Sequence, residues 1–99
     1  MRRRRFADVV SRQLDVFAAD EAHGLLAEAR ESKERYDHAC REEAEEAYGD
    51  YSDVVTAVKD ALADMRDRYA STLGADSVDE YSETFERAAL KRWRWLDVG

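Results

Sequence analysis

One periodic pattern constrains this chain more than any other feature. Ala22, Leu26, Ala29, Lys33, Tyr36, Cys40, Ala44, Ala47, Tyr51, Val55, Val58, Leu62, Met65, Tyr69 and Leu73 follow one another in steps of three or four. The mean step is about 3.6 residues, the period of an α-helix. Only Lys33 is out of character, and its aliphatic stem can lie along apolar surface. The phase runs unbroken through Tyr48-Gly49-Asp50.

That continuity sets up a choice. A straight helix over residues 20–73 would be about 80 Å long. A compact domain of 99 residues has a radius of gyration near about 13 Å. If Gly49 ends a helix, Asp50 or Ser52 caps the next one and the chain folds back as a monomeric bundle. If Gly49 is only a weak point, the stripe is too long for its own chain to cover, and a second copy must bury it. Residues 25–48 are poor in large apolar side chains, which favours the second alternative.

Other helices flank this stretch. Phe6, Val10, Leu14 and Phe17 share one face and predict a helix from about Arg4 to Ala18. Asp20 is placed to cap a further helix with Glu21 in its first turn. Whether these two helices join or kink across Ala18–Gly24 is open. Gly74 then stands where a helix end would put it. Ser77-Val78-Asp79-Glu80 reads as a capping box opening a last helix to about Leu96. With no proline and four glycines, the chain has few helix breakers. The expected fold is all-α, a three- or four-helix bundle or helical hairpin with one long amphipathic stretch. It forms a single domain over residues 1–99, with residues 1–4 as a basic, flexible tail.

Charge is unevenly spread. Residues 2–5 carry four arginines, whereas residues 6–89 hold 22 acids against nine bases. An acidic body repels phosphate and disfavours nonspecific nucleic-acid binding by the whole surface. The basic ends are the exception. Arg2, Arg3, Arg4 and Arg5, and the Lys91-Arg92-Trp93-Arg94-Trp95 segment, are candidates for anion or partner binding. The lone cysteine, Cys40, cannot form an internal bridge and fits a reducing compartment. No apolar run approaches the length of a membrane span, and a cytoplasmic location is expected.

Catalytic signatures are lacking: the sequence has no Cys-x-x-Cys, no glycine-rich phosphate loop and no Gly-x-Ser-x-Gly elbow. Cys40 lies on the apolar stripe and reads as a structural thiol. Glu34, His38 and Glu42 would share a helix face, and Asp20 precedes His23 by three residues. Both spacings suit a divalent metal, but a solvated acidic face accounts for them, and no metal or other cofactor is expected. The leading expectation is a non-enzymatic helical interaction protein that self-associates as an antiparallel homodimer. Its anchors would be Tyr36, Tyr51, Val55, Val58, Leu62, Met65 and Tyr69. A small regulatory nucleic-acid binder using the basic ends, and a metal-binding bundle, are the alternatives.

Overall fold

A computed structural model describes residues 5–97. Among them the chain forms four α-helices, α1 (Ala7–Asp20), α2 (Leu25–Asp37), α3 (Ala44–Ala70) and α4 (Ala75–Arg92), followed by one 3-10 turn, Arg94–Leu96. No strand occurs among the described residues. The all-α expectation holds, and α3 with its 27 residues carries most of the long stripe. The expected tail, residues 1–4, lies outside the described residues.

Side-chain pairings fix the directions of the helices. Arg5 meets Glu80, Asp15 meets Arg92 and Phe17 meets Trp93. Both numbers rise together, so α1 and α4 run parallel. Arg66 pairs with Glu86 and Tyr69 packs on Tyr81, so α3 is antiparallel to α4. The turn at residues 38–43 joins the end of α2 to the start of α3, and Tyr36 beside it packs on Tyr48 and Tyr51, so α2 is antiparallel to α3. It follows that α1 and α2 point the same way, end after end, with α3 returning beside both. The result is a three-layered rod, 50 × 24 × 24 Å with a radius of gyration of 15.7 Å, longer than a sphere of this chain length.

The break between α1 and α2 is local. The Leu26 N–H reaches back to the Glu21 carbonyl at 3.0 Å, and the Glu21 carboxylate accepts the Leu25 N–H at 3.0 Å. Asp20 closes α1 and does not cap α2. A side chain on Gly24 would meet Glu21 Oε1 at 2.7 Å, so glycine leaves room for that capping carboxylate.

The turn near the middle of the chain is not at Gly49. Gly49 lies inside α3, and a β-carbon there would meet nothing within 4 Å. The chain reverses at residues 38–43, held by His38 N–H to Glu34 O at 3.1 Å and Glu43 N–H to Cys40 O at 3.0 Å. No described residue has a positive φ, so this reversal needs no glycine. The 80 Å helix is thus cut in two, and neither Asp50 nor Ser52 is a cap. The apolar phase across Tyr36, Cys40 and Ala44 is a coincidence of sequence, because Cys40 is exposed in the turn. Within α2 the stripe also shifts: Ser32 is buried at 1% exposure while Lys33 is exposed. Small residues at Ala29 and Ser32 let α2 lie close on α3.

At the last boundary, α4 starts at Ala75, behind Gly74. Ser77 and Glu80 do not form a capping box. Both instead accept from the Arg5 guanidinium, at 3.2 and 2.9 Å. The last helix stops at Arg92 rather than Leu96, and Trp93 leaves helical geometry so that Leu96 can be buried. One core joins Val10, Leu14 and Phe17 of α1, Val55, Val58 and Leu62 of α3, and Tyr81, Phe85 and Ala89 of α4.

Candidate interaction surface

The expected anchors divide into two groups. Tyr51, Val55, Val58 and Leu62 are buried inside this one chain, Val58 at 0% exposure. Met65 and Tyr69 are half-buried against the same core. Their apolar faces are covered by α1, α2 and α4, which removes the argument that a second copy must bury them. Tyr36 differs, at 37% exposure, and Tyr48, absent from the expected set, is 38% exposed.

These two tyrosines mark the tip of the α2–α3 hairpin. Between residues 33 and 50 only Ala39, Ala44 and Ala47 are half-buried, and the rest are exposed. The rings of Tyr36 and Tyr48 lie 5.4 Å apart, and Tyr36 stacks on Tyr51 at 6.2 Å with an interplanar angle of 13°. Tyr51 is the root of this stack. Burial raises its phenol above the usual range, partly offset by nearby Lys33. Lys33 in turn donates to Asp37 at 2.9 Å, and that carboxylate holds its ammonium above its ordinary value. Around the stack the tip carries Glu34, Asp37, Glu42, Glu43, Glu45, Glu46 and Asp50 against Lys33, Arg35 and Arg41. An alternation of exposed tyrosine with charge signals such a surface, but Tyr48 sits off the stripe, and periodicity alone passes over it.

The basic ends are tied into the bundle. Arg5 pairs with Glu80 and lies 5.0 Å over the Phe6 ring. Arg92 pairs with Asp15 at 2.7 Å and lies 5.2 Å over Trp93. Trp93 packs edge-on against Phe17 at 5.7 Å, and Trp95 is half-buried. Lys91 and Arg94 are exposed. Arg2, Arg3 and Arg4 lie outside the described residues. The segment therefore closes the core with its tryptophans rather than presenting both for stacking on bases.

The expected metal-ligand spacings do not survive the turn. Because α2 ends at Asp37, Glu34 is helical, His38 follows the helix and Glu42 lies in the turn, so the three share no helix face. Asp20 and His23 are both exposed at the α1–α2 break. Among the described residues no group of three His, Cys, Asp or Glu side chains is placed to hold a metal. Cys40, expected within the apolar stripe, is exposed in the turn.

Two grooves remain. One of about 630 Å³ runs between α1 and α4, over Val10 and Leu14, with Glu83, Arg87 and Lys91 on its rim. A smaller one of about 340 Å³ lies between α2 and the two tryptophans, lined by Leu26, Ala29 and Lys33. The first has a floor that is already buried. The second mixes Arg30 and Lys33 with Glu34 and Asp37, so it favours neither sign of charge. Among the described residues no helix is long and apolar enough to cross a membrane. No family model, no curated protein and no solved structure matches this chain.

Proposed function

We propose that the protein is a non-enzymatic helical interaction protein that self-associates, and that its contact surface is the tip of the α2–α3 hairpin. One observation carries the reading: among the described residues no third helix covers the hairpin on the turn side of Tyr51, and two tyrosines stand half-open there. Tyrosine offers large contact area at low entropic cost and is favoured at interfaces for that reason. The stripe of α3 is then core, and Tyr36 with Tyr48 replaces Val55, Val58 and Leu62 as the contact group. The exposed, unbridged Cys40 suits a reducing cytoplasm.

Sedimentation velocity of the full chain over a wide concentration range tests this. The weight-average mass should rise above one chain of 11.4 kDa at micromolar concentration, and Tyr36→Ser with Tyr48→Ser should bring it back down without unfolding the chain. A monomer at every concentration would overturn the reading.

A further inference from the structure

We propose that a second copy of this chain docks on the outer face of α4, antiparallel to it about a two-fold axis at the level of Phe85. This contact lies apart from the hairpin tip and does not rest on it. It starts from one stripe. Asp76, Glu80, Glu83, Arg87 and Lys91 recur at steps of three or four along α4 and so share a face. All five are exposed. Along that face the charge changes sign once, with acids in the first half and cations in the second. The other helices show no such division. Exposed acids and bases interleave along α1 (Asp8, Arg12, Asp15), α2 (Glu28, Arg30, Glu31, Lys33) and α3 (Asp53, Lys59, Asp64, Arg68).

Register then selects the pairing. With the axis at Phe85, Glu83 of one copy stands level with Arg87 of the other, and Glu80 with Lys91. The two-fold makes each pair twice. A parallel copy would instead set Glu83 on Glu83 and Arg87 on Arg87, which complementarity disfavours. The groups are available. Among the described residues Asp76 and Lys91 have no ion-pair partner, and Glu83 and Arg87 meet only loosely, at 3.7 Å. Glu80 keeps Arg5 at 2.9 Å and has a second carboxylate oxygen to offer. Shape agrees with charge. Glu80, Glu83, Arg87 and Lys91 form one rim of the groove of about 630 Å³ between α1 and α4, whose walls include the small side chains of Ala7, Ser11, Thr84 and Ala88. Small side chains let a second helix approach closely. The floor is already buried, so the apolar gain lies at the rim. There Leu90, 43% exposed, comes level with Glu80 of the other copy, at the edge of that groove.

Exposed ion pairs each contribute little, so this contact is weak and needs high protein concentration and low salt. The test uses the full chain carrying Tyr36→Ser/Tyr48→Ser, in which the tip is spoiled, so that either contact can fail without the other. Sedimentation equilibrium at millimolar concentration and low salt should give a mass of two chains and no more, because a two-fold contact closes. The dimer should be lost in about 0.5 M salt, where charge contacts are screened. Glu83→Arg and Arg87→Glu, each added to this background, should weaken it about tenfold or more, since each sets like charge on like twice. Equimolar mixing of those two variants should restore it. Glu83→Arg/Arg87→Glu in one chain should restore it too, because the exchanged signs meet again in the antiparallel register. All these positions lie outside the core, and circular dichroism melts check that each variant remains folded. A monomeric background chain, a dimer indifferent to salt or to either reversal, or a double reversal that does not recover would each overturn the inference. None of these results bears on the tip contact, which is read in the unaltered chain.

Discussion

The two parts of α3 follow the same helical period, yet they meet opposite fates. From Tyr51 onward the stripe reads Tyr51, Val55, Val58, Leu62, and it is buried in the core that α1, α2 and α4 complete. Before Tyr51 it reads Ala44, Ala47, and both are only half-buried. Burial stabilises in proportion to apolar area, about 25 cal/mol per Å². An alanine stripe gives a third helix little reason to dock. Periodicity thus says which face can be buried, and side-chain size decides whether anything is gained by burying it. The body is a three-helix core, and the tip is a two-helix projection.

The sharpest way to break this division is a charge in the body. Val58→Asp places an unpaired carboxylate in a site with no exposure and should cost about 4 kcal/mol or more. That is enough to unfold a marginal domain of this size. Retention of a cooperative melt near that of the unaltered chain would show that the body is not one core. Phe85→Ala comes next, with an expected loss of about 3–5 kcal/mol from cavity formation, read from the midpoint of urea unfolding. A third probe is alkaline pH. Burial raises the phenols of both Tyr81 and Tyr51 above 10.0, with Lys33 offsetting part of the shift at Tyr51. The folded chain therefore holds protons that the unfolded chain releases. Stability is full below pH 10 and falls as pH rises past it. The melting temperature should drop above that point, and Tyr81→Phe should flatten the drop.

In the tip the sign of a substitution should reverse. Gly49→Ala adds a methyl into open space within a helix and should stabilise by about 0.5–1 kcal/mol. Gly24→Ala, by contrast, would push on the Glu21 carboxylate that caps Leu25, and should destabilise. Tyr36→Ser/Tyr48→Ser should cost only about 1 kcal/mol, from lost ring contacts. Amide hydrogen exchange across residues 33–50 should also be faster than across residues 54–65. Equal protection in the two segments would erase the comparison.

Much of the architecture was legible in the residues themselves. The stripes Phe6–Phe17 and Tyr51–Tyr69 identify core faces, because large apolar side chains at helical spacing rarely point elsewhere. The misplaced features share a physical cause. Gly49 looks like a stop, but an exposed glycine costs a helix only about 1 kcal/mol, which a helix as long as α3 tolerates. The real reversal at residues 38–43 carries neither glycine nor proline, and its signal is only the lack of any large apolar side chain there. Ser77 and Glu80 have the spacing of a capping box, but Arg5 comes from a distant part of the chain and takes both acceptors. No local window contains Arg5 and Glu80 together. The tip was partly legible: Tyr36 lay on the stripe, whereas Tyr48 lay off it and is exposed.

The parallel pairing of α1 with α4 bears on how the chain is made. The side-chain hydrogen bonds of the N-terminal segment with α4 span 68 to 77 positions. Synthesis proceeds at about 5–20 residues per second, so α1 leaves the ribosome several seconds before those partners exist. During that interval the α2–α3 hairpin, whose contacts are local, can assemble first. The apolar face Val10–Leu14–Phe17 has to wait beside it without its lid. Of the four described helices, the latest to be translated locks the earliest in place.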